Sequence, residues 1–147
     1  MQVKIINHSD NSLPVYETIG SAGMDLRAFI QQPITLGSME RTLVPTGLFI
    51  ELPQGFEAQI RPRSGLAVKK RLTVLNSPGT IDSDYRGEIL VALINLGDKP
   101  IQLPVIKDGK ETAIAQIIFE AHGTVNDGFT VVDDLTATQR GGSGFGS

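Results

Sequence analysis

The chain contains no cysteine, which excludes disulfides, thiolate zinc sites and cysteine nucleophiles together. It has two histidines, His8 and His122, far apart and without the acidic spacing of a metal site. There is no H-E-x-x-H helix, no P-loop and no defensible Ser-His-Asp arrangement. No apolar run approaches the ~20 residues that a bilayer-spanning helix needs, and Met1-Gln-Val-Lys-Ile-Ile-Asn7 lacks the basic and apolar regions of a secretory leader. A basic excess is missing too. With a formal net charge of −3, a surface for duplex DNA is not expected, although a few well-placed arginines suffice for a small phosphorylated ligand. Internal repeats are absent. These absences predict a soluble, cytoplasmic protein that binds neither nucleic acid nor membrane.

What is present reads as one globular domain: 147 residues, 40% hydrophobic and 20% charged. Apolar residues come in short runs or alternate with polar ones, and eight prolines and sixteen glycines break the chain frequently. Val3, Ile5 and Ile6 predict a first strand. Ser21 to Phe29 enters a second, and Val44 to Leu52 forms a strand pair or a bent strand interrupted at Pro45 and Gly47. Phe56, Ala58 and Ile60 alternate with Glu57, Gln59 and Arg61, so one face is buried there. Leu72 to Leu75 and Glu88 to Asn95 flank a central hairpin. Ala113 to Ala121 is a later strand, and Gly128 to Val132 closes the set. No window carries a helical stripe, though Ser64 to Leu72 has room for one or two turns. The pattern predicts an all-β sandwich or barrel.

Four stretches carry chemistry. Between the turn signals Pro78-Gly79 and Gly87 lie Asp82, Asp84, Tyr85 and Arg86. Two carboxylates, a ring and a guanidinium suggest a pocket; the alternative is a solvated turn whose charges keep an edge soluble. Asp25 follows Gly23 on a predicted strand, where a lone carboxylate is commonly a solvated face residue. In Arg63-Ser-Gly65 a forked guanidinium, a hydroxyl and a bare backbone make an anion clamp, while Ser64 is equally suited to N-cap a helix. The glycine-rich end, Thr138 to Ser147, carries Arg140 and Phe145. A lid closing on a ligand would use one on phosphate and the other on a planar base; the alternative is an inert tail. Lys69-Lys-Arg71 reads as a solvated basic loop or as a neighbour of a triphosphate.

Taken in order, Ala22-Gly-Met-Asp-Leu26, Arg63-Ser-Gly-Leu-Ala67, Gly79-Thr-Ile-Asp-Ser-Asp-Tyr-Arg-Gly87, Ile114-Ala-Gln116 and Arg140-Gly-Gly-Ser-Gly-Phe-Gly-Ser147 resemble the five motifs of the trimeric dUTPases. The resemblance spans nearly the whole chain. It implies a distorted β jelly roll (residues 1–137) with the tail (138–147) as an active-site lid. It also implies a homotrimer with active sites at subunit interfaces, and hydrolysis of dUTP to dUMP and pyrophosphate with Mg2+ on the triphosphate. Asp82 then matches the carboxylate that orients the attacking water and touches the 3′-hydroxyl, and Tyr85 the ring that packs on the deoxyribose. Asn76, the backbone of Thr80, Ile81 and Asp82, and Leu90 match the positions that read uracil. Arg63, Ser64, Gly65 and Gln116 match phosphate contacts, with Asp82, Gln116 and Arg140 the catalytic set. Asp25 matches a water-mediated contact to Mg2+, Arg140 a finger that neutralises phosphate charge, and Phe145 a ring stacked on uracil.

Two departures accompany the likeness. The fourth motif usually reads Gly-Asp-Arg-Ile-Ala-Gln, whereas Ala113 stands here in place of the arginine, after a longer Ile101 to Thr112 segment. Ser147 is the last residue where the family commonly continues Thr-Gly. The competing readings are a dCTP deaminase, which in that family needs a glutamate where this chain has Ala92, and a non-catalytic trimeric nucleotide-binding protein.

Overall fold

The computed structural model describes residues 1–124 and 128–143. In chain order the elements are β1 (Lys4–Asn7), β2 (Met24–Leu26), β3 (Ile34–Leu36), β4 (Arg41–Pro45), β5 (Leu48–Glu51), β6 (Phe56–Arg61) and α1 (Ser64–Lys70). They continue with β7 (Leu72–Val74), β8 (Gly79–Ile81), β9 (Leu90–Asn95), β10 (Ile101–Leu103), β11 (Ile106–Lys107), β12 (Lys110–Glu111) and β13 (Ala115–Ala121).

The alternation in Phe56–Arg61 settles β6 with Ala58 and Ile60 buried and Glu57, Gln59 and Arg61 half-buried on the other face. β6 lies inside a four-stranded sheet of order β2-β13-β6-β8, and a second sheet has the order β4-β9-β7. Smaller ribbons, β1-β5, β3-β10 and β11-β12, complete the walls, and the pairings are antiparallel. Leu26, Ala58, Ile60 and Ile117 from the first sheet meet Val44, Val74, Val91 and Leu93 from the second in one core. Each fully buried Leu, Ile or Val contributes roughly 1.5–3 kcal/mol. The result is the expected all-β, distorted jelly roll with one short helix.

The central stretch departs from a plain hairpin. Its flanks do pair, Leu72 with Asn95 and Val74 with Leu93. Between them, however, the chain leaves for the other sheet, where β8 pairs with β6, and only then returns. The return is pinned: the buried Thr46 hydroxyl donates to the Ile89 carbonyl at 2.7 Å, Gly47 N donates to Glu88 Oε1 at 2.7 Å, and Ile89 N donates to the Leu48 carbonyl at 2.8 Å. A second anchor is Asn95, fully buried, whose amide donates to the Leu36 and Lys99 carbonyls and accepts from Gly97 N.

Two expectations fail. Gly128 to Val132 forms no strand; Phe129 and Val131 are almost fully exposed, and the segment pairs with no strand among the described residues. Ser64 is not an N-cap: Arg63 holds that position with extended backbone, Ser64 is the first helical residue, and no side chain caps the helix.

Candidate active site

β13 runs down the middle of the site. Its Gln116 stands level with Asp25 on β2 to one side and Arg61 on β6 to the other, so all three project from the same, outward face of the sheet. Arg63, two residues past that row, folds back so that its guanidinium donates to Asp25 Oδ2 at 2.6 Å. Gln116 Nε2 donates to the Pro62 carbonyl at 3.0 Å and so braces the segment that carries Arg63. Gly23 matters here because a Cβ at that position would collide with Gln116 Oε1; the glycine makes room for the amide. Beside the row, Arg61 donates to Gln59 Oε1 at 2.7 and 3.1 Å, and Gln59 donates to Glu57 Oε1 at 2.5 Å. Ser64 and Gly65 open α1, exposed, at the edge of a cleft of about 520 Å³.

The second cluster sits on the excursion between β7 and β9. β8 is an edge strand, so its outward amide and carbonyl groups pair with no other strand among the described residues. Thr80 is exposed and Ile81 buried, which leaves Ile81 only its backbone to offer a ligand. The Asn76 amide packs against Gly79, and extending the β7–β9 register brings Asn76 level with Val91, one residue from the exposed Leu90. Asp82 follows β8, exposed, and its carbonyl accepts from Tyr85 N at 3.2 Å in a turn. The Tyr85 hydroxyl donates to the Glu88 carbonyl at 3.1 Å, and its ring covers Gly87, where a Cβ would strike it. Arg86 braces the same turn by donating to the Ser83 and Tyr85 carbonyls, and lies 3.9 Å from Glu51. Glu51 accepts from Lys4 at 2.7 Å, and that hydrogen bond, aided by the Lys4 charge, holds its carboxyl below the usual range despite a small desolvation.

Within one chain the two clusters do not meet. Ile81 is paired with Ala58, so Asp82 comes level with Glu57, four residues from the Arg61 row. At ~3.3 Å per residue that is ~13 Å along the strands. The Arg63–Asp25 pair also lies three strands from β8, about 14 Å across at ~4.8 Å spacing. The water-orienting candidate and the anion clamp are thus close to ~20 Å apart. Arg140 is exposed and, among the described residues, donates only to the Ser143 carbonyl at 3.0 Å and joins neither cluster; Phe145 lies outside the described residues. His8 packs obliquely on Phe49 with ring centroids 5.3 Å apart, in keeping with a structural role. Among the described residues no three His, Cys, Asp or Glu side chains converge as for a metal, and no helix is long and apolar enough to cross a membrane.

Sequence reasoning did not single out the β11–β12 hairpin or Arg27. The hairpin turns at Asp108-Gly109, with φ of 52° and 74°, a two-residue connection whose Asp-Gly signature was legible. Arg27 donates to the Glu111 carbonyl at 2.6 Å and fastens that hairpin to the clamp side. Its signal was its place two residues beyond Asp25, the strand repeat, where the extended pattern of β2 continues.

A family model for dUTPase matches residues 9–147. The deoxyuridine 5′-triphosphate nucleotidohydrolase of Finegoldia magna is 49% identical over 146 residues, covering 99% of this chain and 97% of the relative. Among solved structures, the dUTPase of Staphylococcus bacteriophage 80alpha with dUPNHPP superposes with a TM-score of 0.77 at 19% identity, covering 99% of this chain and 96% of that one. A variant dUTPase of the S. aureus phage phi11, described with a structural Mg(II) ion, gives a TM-score of 0.71 at 17% identity, covering 93% and 100%. The two phage likenesses speak for the fold; the family match and the bacterial relative, both running almost end to end, speak for kinship, and the chain belongs to the dUTPase family.

Proposed function

We propose that the protein is a dUTP diphosphatase, hydrolysing dUTP to dUMP and pyrophosphate, and that its active site is assembled between copies of the chain. The activity limits uracil incorporation into DNA and supplies dUMP for dTMP synthesis. The observation that carries the reading is the register, which sets Asp82 level with Glu57, four residues along and three strands across from the Arg63–Asp25 pair, or ~20 Å at ideal strand spacings. Base and clamp must meet at one phosphorus, so each site takes its nucleoside-reading loop from one protomer and its phosphate clamp from another. A homotrimer, with the tail supplied by the third chain, is the closed arrangement that follows from the family resemblance. In support, residues 128–143 expose Phe129, Val131 and Leu135, while an apolar groove of about 290 Å³ runs past Val3, Ile5, Met24 and Phe119. A neighbour's arm laid in that groove would bury both surfaces.

Uracil is read by the free backbone edge of β8 from Thr80 to Asp82, with Asn76 and Leu90 beside it. Amide and carbonyl groups there complement an imide donor between two carbonyl acceptors. The Tyr85 ring, held by Glu88 and Gly87, presses on the 2′ carbon and leaves no room for a ribose hydroxyl. Asp82 accepts a proton from water as the water oxygen bonds to the α-phosphorus. The bond from that phosphorus to the α,β-bridging oxygen breaks, and pyrophosphate leaves. Arg63, Ser64, Gly65 and Gln116 hold the phosphates, Arg140 neutralises charge developing on them, and Phe145 stacks on the base. Residues 1–137 form the folded domain and 138–147 the lid.

The donor set fits Mg2+ only as a passenger of the triphosphate. Asp25 is a single carboxylate, already paired with Arg63, suited to a hydrated cation through water rather than to a protein-only cage. The chemistry Mg2+ supplies when bound is neutralisation of phosphate charge. A deaminase would need a carboxylate at position 92, where β9 presents the methyl group of Ala92.

The test is a pyrophosphate-release assay across dUTP, UTP, dCTP and dTTP, with ammonia measured in parallel. Pyrophosphate from dUTP alone supports the reading. Ammonia from dCTP, or no release from dUTP, overturns it.

A further inference from the structure

Where β4 leaves β9 at the Pro45–Leu90 pair, the two chain segments stay together. Thr46 and Gly47 intervene, and Ile89 N then donates to the Leu48 carbonyl at 2.8 Å. Carried on antiparallel from that bond, residues 86–88 run back alongside β5, and Arg86 comes level with Glu51. The contact agrees: Arg86 Nε lies 3.9 Å from Glu51 Oε2. On the other edge of β5 the register sets Lys4 level with the same glutamate, and its ammonium donates to Oε1 at 2.7 Å. Lys4, Glu51 and Arg86 thus make one row across three extended segments, with a separate carboxylate oxygen for each cation. The far end of the row grips the turn that carries Asp82 and Tyr85. Arg86 Nη1 donates to the Ser83 carbonyl at 2.8 Å and to the Tyr85 carbonyl at 3.0 Å. Tyr85 then has every polar group engaged between Asp82 and Glu88: its N–H donates to the Asp82 carbonyl, its carbonyl accepts from Arg86, and its hydroxyl donates to the Glu88 carbonyl. Its ring lies over Gly87. Arg86 is half-exposed, yet its donors are spent on the backbone of the turn rather than turned to water, as a purely solubilising charge would be.

We propose that Arg86 is a positioning residue that fixes the Tyr85 ring against the sugar, anchored by the Lys4–Glu51 pair, and so sets the preference for deoxyribose over ribose. The inference rests on the dUTP diphosphatase reading for what the ring meets, but not for how the ring is held. Arg86 acts through Tyr85 and not on the phosphates. The planar fork of the guanidinium is what the arrangement uses: Nη1 serves two carbonyls while Nε faces a carboxylate, a geometry that the single ammonium of a lysine does not reproduce. The Glu51 contact is exposed and long, so it adds little strength and chiefly chooses the side on which the guanidinium lies. Sugar selection is thereby tied to the β1–β5 ribbon, which belongs to neither of the larger sheets.

The experiment has two arms. In the first, kcat/KM is measured on dUTP and UTP for Arg86→Ala, Arg86→Lys, Glu51→Gln and the Arg86→Ala/Glu51→Gln double variant, with inorganic tripolyphosphate as an inhibitor. Arg86→Ala should raise the UTP-to-dUTP ratio by about three- to tenfold, the range of a partly exposed charge contact. Arg86→Lys should not restore the wild-type ratio, and Glu51→Gln should move it less in the same direction. The double variant should be no worse than Arg86→Ala, since both act through one contact, and tripolyphosphate inhibition should not change. In the second arm the ring is followed directly. The chain has no tryptophan and two tyrosines, so in a Tyr16→Phe background the emission is that of Tyr85. Its quenching by acrylamide should rise in Arg86→Ala. An unaltered nucleotide ratio or unaltered quenching in Arg86→Ala, wild-type selectivity in Arg86→Lys, or an equal loss of tripolyphosphate inhibition overturns the proposal. If Arg86→Ala fails to fold, Arg86→Lys and Glu51→Gln carry both arms. Failure of the wild-type protein to release pyrophosphate from dUTP would instead overturn the functional reading, and the quenching would still decide whether Arg86 holds the ring.

Discussion

Arg63 and Asp25 hold one another at 2.6 Å, the guanidinium of one strand end closing on the carboxylate of the sheet's edge strand. The group suited to phosphate and the group suited to a hydrated cation are therefore each other's partners before ligand arrives. Nucleotide with its cation replaces one contact by two. Asp25→Asn should release Arg63, so the metal-free nucleotide analogue should bind severalfold more tightly, while the gain on adding magnesium should shrink. Calorimetry with and without chelator reads both signs, and a variant that merely loses affinity in both conditions would contradict the exchange.

Asp82 is exposed, follows an edge strand, and belongs to no ion pair among the described residues. Asp82→Asn should lower kcat by about two to four orders of magnitude, the range of a lost general base, with nucleotide affinity nearly unchanged. Rapid-quench turnover beside equilibrium binding separates the two.

The separation of Asp82 from Arg63 also permits a complementation test. Asp82→Asn and Arg63→Ala chains should each be nearly inactive. Refolded together, they should regain a fraction of the activity, since some sites would draw an intact loop from one chain and an intact clamp from the other. Absence of recovery in verified mixed oligomers would argue for a site made within one chain.

Gly23 and Gly87 are each covered by a side chain of the proposed site, Gln116 and Tyr85 respectively. Gly23→Ala should displace the Gln116 amide from the Pro62 carbonyl and raise KM for dUTP. Gly87→Ala should displace the Tyr85 ring and raise the rate on UTP relative to dUTP. Steady-state kinetics on both nucleotides, with circular dichroism to establish folding, checks the pair.

Removing residues 139–147 takes away Arg140 and the remaining tail while leaving the sheets and the exposed 128–137 segment. Activity should fall by about two orders of magnitude or more, as for loss of a charge-neutralising arginine, and sedimentation should show an unchanged oligomer.

Among the described residues, Glu51 supplies the one pH effect with a defined sign. Its hydrogen bond from Lys4 lowers its pKa in the folded chain. The contribution of the Lys4–Glu51 pair is therefore fully present above the ordinary carboxylate pKa and is lost as pH falls through the lowered value. Lys4→Met should move the Glu51 titration, followed by NMR, back upward.

Much of this was legible in the residues themselves. Alternation in Phe56–Arg61 announced β6, and the Gly-x-Asp, Arg-Ser-Gly and Asp-x-x-Tyr clusters supplied both halves of the proposed site. What a linear reading lacked was partnership. Leu72–Leu75 and Glu88–Asn95 do pair, but nothing local reveals that Gly79–Ile81 joins a different sheet, because that depends on β6 offering an edge. Gly128 to Val132 has strand-forming composition yet joins none of the described edges. The 3₁₀-free entry to α1 at Arg63 escaped notice for a simpler reason: a serine beside a helix start suits both the cap and the first turn.

Because β8 is the outermost strand of its sheet, the proposed selection of the base is entrusted to peptide groups, which every amino acid but proline carries alike. Substitutions at Thr80 can alter how well the strand holds its shape, yet none except proline can rewrite the donor and acceptor order it displays. Base choice in such a protein should thus resist genetic drift, and an inhibitor that mimics the uracil edge would leave the target few ways to escape by point mutation.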